Sequence, residues 1–284
     1  MDRMATIQHI SGSSEKAYIV IRDLVWQPRQ APSAIVDSVS ASFHKGVFTA
    51  VLGPNGAGKT SLMKLLLGFR QPQKGEIVLA GRALRDYSRK ELAGELAYLP
   101  QASQSHYELP VHEVVRMARY SRLGLFEQTG AQDEEVVREA LSRSGALGLA
   151  DHSFSNLSGG ERQRVLCARA IAQESSFIIL DEPVSNLDLR YQHTILATLR
   201  QLAHDKAVGI LCVMHDVNLA KQYADEILLL KHGKAVGQGP TDKLLNEALL
   251  TEVYDWPLVE VETRSGQESF FITQAIGVQE NDPA

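Results

Sequence analysis

The sequence predicts an α/β fold in which helices cover a parallel sheet. Three short, almost wholly apolar runs, at residues 47–52, 177–180 and 208–214, are typical of strands buried on both faces. The segments 61–69 and 191–204 carry apolar residues at helical spacing. Strands that alternate with helices in this way form a parallel sheet, because each crossover needs a long connection.

Two further regions are predicted around this core. Alternating apolar and polar residues indicate an N-terminal antiparallel β subdomain, formed by residues 17–24, 35–43 and a hairpin at 75–81. Between residues 110 and 172 helical spacing replaces the strand pattern, which predicts an inserted α-helical subdomain. Its helices are expected at 113–120, 133–147 and 160–171. Beyond the core, a helix at 219–224 and a hairpin joining 227–230 to 235–237 are expected.

The bulk composition excludes several classes of function. The 284 residues carry a formal net charge of −5, so no global attraction to nucleic acid or to an anionic membrane is expected. Cys167 and Cys212 lie in apolar runs and are interpreted as buried thiols. No apolar run reaches the roughly 20 residues that span a bilayer, and no signal peptide is recognised. A cytoplasmic protein is expected, and any role at a membrane needs partner subunits.

The clearest motif follows the first buried strand and opens a helix. It matches G-x-x-x-x-G-K-[ST] in full, and the predicted nucleotide-binding residues are Gly53, Pro54, Asn55, Gly56, Ala57, Gly58, Lys59, Thr60 and Ser61. Glycines let backbone N–H groups turn inward on a polyphosphate, and the start of the helix adds partial positive charge. Lys59 is predicted to reach the β- and γ-phosphates of ATP, and the Thr60 hydroxyl to bind Mg²⁺.

A second motif is the apolar strand 177–180 that ends in Asp181 and Glu182. A carboxylate at the end of a buried strand needs a cationic partner, and Asp181 is predicted to act on Mg²⁺ through water. Glu182 is predicted to be the general base that polarises the attacking water. A solvated turn would explain an Asp-Glu pair alone, but it does not explain the apolar strand that precedes it.

The third motif is Leu157-Ser158-Gly159-Gly160-Glu161-Arg162-Gln163-Arg164, which begins another helix. A helix N-terminus attracts anions. Ser158 and Glu161 also have the spacing of a capping box, which is the structural alternative. That alternative does not require the two consecutive glycines.

Together the three motifs resemble those of the ATP-binding subunits of ABC transporters, and the resemblance runs from residue 19 to residue 261. It implies a RecA-like P-loop NTPase core. In that family the third motif binds the γ-phosphate held by the opposite protomer, so Ser158, Gly159 and Gly160 are expected to complete a partner's site in a homodimer.

The resemblance assigns roles to four more residues. Gln101 matches a glutamine that contacts Mg²⁺ and the attacking water, and Asp188 matches an aspartate that acts across the dimer. His215 matches a histidine that contacts the γ-phosphate. Trp26 is either a core residue or the aromatic that stacks on adenine. Val184 stands where the family usually has threonine.

The same resemblance divides the chain into five parts. Residues 1–16 are expected to be a flexible N-terminus, and residues 266–284 a C-terminal extension. The nucleotide-binding core comprises residues 17–101 and 166–265, and the helical subdomain with the third motif comprises residues 102–165.

Finer similarity concerns the kind of transporter. Residues 92–101, 114–124, 187–192 and 215–220 are similar to the ATPases of iron-siderophore, haem and cobalamin importers, although 117–124 are also close to manganese and zinc importers. This implies a separate permease that contacts residues 102–122, and indirectly a periplasmic or surface substrate-binding protein. It also implies a place on the cytoplasmic face of the membrane. A soluble ABC ATPase that acts on nucleic acid or ribosomes is the alternative from another class, but the single cassette, short insert and net negative charge disfavour it.

Overall fold

The computed structural model describes residues 17–101, 108–122, 130–262 and 269–273. The expectations for residues 1–16 and for most of the C-terminal extension lie outside these ranges. So does part of the predicted permease surface, residues 102–107.

The described ranges alternate between strands and helices. The strands are β1 (Ile19–Trp26), β2 (Val36–Phe43), β3 (Phe48–Leu52), β4 (Lys74–Leu79), β5 (Arg82–Ala83), β6 (Leu96–Leu99), β7 (Phe177–Asp181), β8 (Gly209–Val213), β9 (Glu226–Lys231), β10 (Lys234–Pro240), β11 (Leu258–Glu262) and β12 (Ser269–Thr273). The helices are α1 (Lys59–Leu66), α2 (Arg89–Glu95), α3 (Val111–Arg116), α4 (Ala131–Arg143), α5 (Gly159–Ala172), α6 (Leu189–Lys206), α7 (Val217–Tyr223), α8 (Thr241–Leu244) and α9 (Glu247–Tyr254).

A mixed sheet forms the core, with the strand order β10-β9-β3-β8-β7-β6. Its strands run parallel, except that β10 pairs antiparallel with β9. The strands β3, β7 and β8 are buried along their whole length, which explains their continuous apolar runs. The predicted α/β class is confirmed, and the carboxyl ends of β3, β7 and β8 lie at one edge of the sheet.

A second, antiparallel sheet has the order β2-β1-β4-β5. Its inner residues share an apolar cluster with α1 and with one face of the core sheet. The predicted N-terminal antiparallel region is therefore confirmed as a layer that covers α1.

The helical insert departs from the prediction at two helix ends. The helix expected at 113–120 is the short α3, and a 3₁₀ segment, Met117–Ser121, continues it. The helix expected to reach residue 147 ends at Arg143, because Gly145 takes a left-handed φ of 69° and terminates it. The apolar residue Ala146 lies after the helix, and Leu147 begins a separate 3₁₀ segment, Leu147–Leu149.

Several short elements were not predicted from the sequence, namely α2, β6, α8, α9, β11 and β12. The hairpin β11–β12 packs on α7, where the Asn218 side chain donates to the Phe271 carbonyl at 3.0 Å and accepts from its N–H at 2.7 Å. None of the helices within the described ranges is both long and apolar enough to span a lipid bilayer.

Candidate functional site

The phosphate loop connects β3 to α1, and close packing explains two of its glycines. A Cβ atom on Gly53 would lie 2.1 Å from the Leu230 carbonyl oxygen, and one on Gly58 would lie 2.5 Å from the Ile35 carbonyl oxygen. Both glycines also have positive φ angles, 146° and 97°, which L side chains rarely adopt. The neighbouring backbone therefore shapes the loop before any nucleotide binds.

Lys59 is buried at the start of α1. Its Nζ donates to the carbonyl oxygens of Gly53 at 2.7 Å and Pro54 at 2.9 Å, so the ammonium group lies within the curve of the loop. Burial lowers the pKa of Lys59, and the nearby carboxylates Glu182 and Asp181 oppose that shift. A bound polyphosphate would supply anionic acceptors to this cation.

Asp181 ends β7 at the same edge of the sheet. Asp181 is 1% exposed, and its carboxylate accepts a 3.3 Å hydrogen bond from the Thr60 hydroxyl. Burial raises the pKa of Asp181, against the lowering effects of the Thr60 hydroxyl and of the nearby ammonium groups of Lys64 and Lys59. One hydroxyl and one carboxylate fit Mg²⁺, which usually takes few protein ligands and completes its shell with phosphate and water.

Glu182 lies where two distant segments meet. The Gln101 side-chain amide donates to one carboxylate oxygen at 2.7 Å, and His215 Nε2 lies 2.5 Å from the other. The Glu182 N–H donates to the Val213 carbonyl at 3.2 Å, which fixes the residue to the end of β8. The structure thus brings together three residues that the sequence analysis singled out separately.

The third motif forms the N-terminus of α5. The Ser158 hydroxyl accepts from the Glu161 N–H at 3.4 Å, and Glu161 accepts from the Ser158 N–H at 2.9 Å. The capping box is therefore present, so the structural alternative holds for these two side chains. Gly159 and Ser158 are nevertheless exposed, and a Cβ atom on Gly159 would meet no atom within 4 Å. Their outward face leaves this helix start open to an anion from another molecule.

Asp188 and Trp26 both have structural contacts. Asp188 is the N-cap of α6, and its carboxylate accepts from the Tyr191 N–H at 3.2 Å. Trp26 is half-buried and packs against the core beneath the antiparallel sheet. Its carbonyl accepts from the Ile35 N–H at 2.9 Å, and the Ile35 carbonyl is the group that a Cβ atom on Gly58 would meet. Adenine stacking by Trp26 stays a prediction.

One contributor to the site was missed in the sequence. The buried Gln163 side chain, on α5, donates to the Pro183 carbonyl at 3.1 Å. This bond ties the third motif to the residue after Glu182. A polar residue within an otherwise apolar helical stripe was the available signal, but its partner is distant in sequence.

Comparisons with known proteins agree with this geometry. The family model described as ABC transporter matches residues 36–185, just over half of the chain. The hemin import ATP-binding protein HmuV of Escherichia coli O157:H7 is 37% identical over 78% of this chain and 86% of its own length. HmuV of Gloeobacter violaceus is 40% identical over 76% of this chain and 80% of its own length. An ABC transporter ATP-binding protein of Bacillus subtilis, YvrA, is 36% identical over 85% of this chain, which spans only 55% of that relative's length.

Solved structures share the fold. A chain from the structure of a metal-chelate type ABC transporter in an inward-facing conformation has a TM-score of 0.77, with 29% identity over 92% of this chain and 98% of that one. The dimeric cassette MJ0796 has a TM-score of 0.72 at 23% identity, over 78% and 98%, and supports the fold alone. With a family match over half of its length and a phosphate loop beside Asp181 and Glu182, this chain belongs to the ABC transporter family and is one of its ATPases.

Proposed function

We propose that this chain is the ATP-hydrolysing subunit of an importer whose membrane-spanning permease is a separate chain. The observation that carries the proposal is the convergence of Gln101 and His215 on Glu182, next to the phosphate loop. A carboxylate held by two side chains from different segments is oriented to act on a water molecule. The hemin-import relatives supply the direction of transport.

Each side chain has a role in this proposal. Glu182 accepts a proton from the attacking water, and Gln101 and His215 orient the carboxylate. Lys59 neutralises charge on the β- and γ-phosphates, and His215 contacts the γ-phosphate. Thr60, Gln101 and, through water, Asp181 would hold Mg²⁺, which would supply positive charge to neutralise the phosphates.

The active form is proposed to be a homodimer. The exposed start of α5, with Ser158, Gly159 and Gly160, would close over ATP held by the phosphate loop of the partner, and Asp188 would act across the same interface. Closure and reopening of the dimer would drive the permease from the cytoplasmic face of the membrane.

The cargo is proposed to be an iron chelate such as a siderophore or haem, or cobalamin, delivered by a periplasmic or surface substrate-binding protein. The two hemin-import relatives favour this class over manganese or zinc. Because the cargo would contact the permease and the binding protein, transport in vesicles with the co-expressed permease is the direct test. Uptake of haem without uptake of manganese or zinc would support the assignment. Uptake of manganese or zinc without haem would instead identify a metal-ion importer.

The proposed chemistry is tested by Glu182→Gln, which keeps the size and hydrogen-bonding shape of the side chain. Loss of a general base is expected to lower ATP turnover by about 10²- to 10⁴-fold. The variant should bind Mg-ATP and sediment as a dimer in its presence, since ATP is bound but not consumed.

The matched control is Glu76→Gln, at an exposed position of β4 in the antiparallel sheet, which should turn over ATP like the wild type. Continued hydrolysis by Glu182→Gln would remove Glu182 from the mechanism. Copurification with ribosomes or nucleic acid, and not with a permease, would favour the alternative class of soluble ABC ATPase.

A further inference from the structure

A cavity of about 310 Å³ lies at the edge of the core sheet opposite to the phosphate loop. Its wall includes Lys45, shortly before β3, Ser175 and Ser176, directly before β7, and Val208, directly before β8. Since these strands are parallel, their amino ends share one edge, whereas the phosphate loop follows the carboxyl end of β3. The cavity is therefore separate from the nucleotide site.

Positive charge is in excess around the cavity. Four cationic side chains and two carboxylates line it, namely Lys45, Arg122, Arg143 and Lys206 against Glu139 and Glu174. The chain as a whole carries a formal net charge of −5, so this local surplus runs against the overall balance.

Each of the two carboxylates is shared between two cationic side chains. Glu139 lies 2.8 Å from Arg143 and 4.0 Å from Lys206. Glu174 lies 3.8 Å from Arg122, but it also pairs at 2.8 Å with Arg119, which does not line the cavity.

Two wall residues have unused hydrogen-bonding capacity. Lys45 Nζ lies 3.5 Å from the Ser176 hydroxyl and 5.1 Å from the centre of the Tyr18 ring, and no carboxylate pairs with it within the described ranges. The Ser175 side chain is 2% exposed, and its hydroxyl has no hydrogen-bond partner in the described part of the chain. A buried hydroxyl without a partner is costly, but the Ser175 oxygen is itself covered, so the exposed Lys45 ammonium is the donor that a ligand in the cavity can reach.

We propose that this cavity binds a small, soluble anion that carries phosphate or several carboxylate groups. Its volume is at the lower end of the range of small-molecule sites, roughly 300–1,000 Å³. Lysine and arginine provide charge-assisted donors for such a ligand, and the modest volume favours a small molecule over an extended chain.

The cations come from both sides of a boundary. Arg122 and Arg143 belong to the helical insert, whereas Lys45 and Lys206 belong to the core. A bound anion would contact both and hold the insert against the core. The insert also contains the start of α5, so the anion would bias the position of Ser158.

The test is calorimetric titration of the full chain with pyrophosphate and, separately, with citrate. The Lys59→Ala background removes competition from the phosphate loop. We expect one binding site per chain. Lys45→Gln combined with Lys206→Gln should weaken binding about tenfold or more, because two charge-assisted contacts are lost. Binding of only one of the two probes would identify the ligand as phosphate-bearing or carboxylate-bearing.

Two further variants separate the site from general electrostatics and from misfolding. Lys234→Gln with Lys243→Gln changes the net charge equally on the surface outside the cavity and should leave binding unchanged. Glu139→Gln frees Arg143 and Lys206 from their shared carboxylate and should strengthen binding several-fold. The absence of saturable binding to either probe, or equal weakening in the two double-lysine variants, would overturn the proposal.

Discussion

Glu182 shows how a single residue can be placed by its backbone. Its φ angle is 53°, in the left-handed region that costs a non-glycine residue roughly 1–2 kcal/mol. Contacts from Val213, Gln101 and His215 hold the residue in this conformation. Strain of this kind is common at functional sites. At Glu182 this backbone conformation goes with a carboxylate that contacts the Gln101 and His215 side chains. The preceding carboxylate, Asp181, contacts Thr60 instead.

The phosphate-loop glycines allow a matched test of packing. Gly58→Ala should destabilise the nucleotide-free protein by about 2–4 kcal/mol, because a positive φ and a backbone clash add together. Gly56 also has a positive φ, 79°, but a Cβ atom there would meet nothing within 4 Å. Gly56→Ala should therefore cost roughly 1 kcal/mol. Urea unfolding measures both, and equal losses would show that the Ile35 carbonyl does not constrain Gly58.

The raised pKa of Asp181 gives a pH dependence with a defined sign. Because burial favours the protonated carboxyl, the fold gains relative stability at low pH and loses it as the pH rises from about 4, the value in an unfolded chain, through the raised pKa. Nucleotide-free Asp181→Asn should thus be more stable than the wild type at pH 8, and the difference should shrink towards pH 4. The Asn carbonyl can still accept from Thr60.

Urea unfolding midpoints at several pH values check this dependence. Asp205→Asn, at an exposed position, should show no comparable change in the difference from the wild type. A less stable Asp181→Asn protein at pH 8 would mean that the ionised carboxylate has a compensating partner in the fold.

At the scale of elements, a buried arginine connects the helical insert to the core. Arg119 is 6% exposed. Its guanidinium donates to Asp133 on α4 at 2.8 Å, to the Ala172 carbonyl at the end of α5 at 2.7 Å, and to Glu174 at 2.8 Å. These bonds join the segment after α3 to the start of α4, to the end of α5 and to the residues that follow α5.

Arg119→Met should therefore cost roughly 2–3 kcal/mol of stability, less than a fully buried pair because Glu174 is partly exposed. Arg138 is the matched control, since its pair with Glu135 on α4 is solvent-exposed. Arg138→Met should change stability by less than about 0.5 kcal/mol. Thermal and urea unfolding of the two variants provide the comparison. Similar losses of stability in both would show that the buried Arg119 network does not stabilise the fold.

The elements differ in how far the sequence predicts them. The strands β3, β7 and β8 are buried on both faces, so their continuous apolar runs were sufficient to predict them. The strand β6 has only four residues and follows directly on α2, so its periodicity is too short to recognise. The hairpin β11–β12 depends on Asn218 of α7, a contact between distant segments. The Ser158–Glu161 cap was visible as a spacing, whereas the Gln163–Pro183 bond was not.

At the scale of the whole molecule, the proposed homodimer implies that each nucleotide site is completed by the exposed start of α5 from a second chain. Lys59, Asp181, Glu182 and His215 cluster at one edge of the core sheet, whereas the Ser158 side chain contacts Glu161 of its own helix cap within the described ranges. If Ser158 acts on nucleotide held by a second copy, its loss should affect association and turnover without affecting the affinity of one chain for ATP.

Ser158→Asp tests this directly, because aspartate is as good an N-cap as serine but places a negative charge where a phosphate would bind. In the Glu182→Gln background, the added Ser158→Asp should leave the fold stability and the binding of a fluorescent ATP analogue to the monomer unchanged, while ATP-dependent dimerisation in the ultracentrifuge is lost. Ser153→Asp, before the motif, should dimerise normally. Weaker ATP binding by the Ser158→Asp monomer would instead place Ser158 in its own chain's site, and the composite dimer site would have to be abandoned.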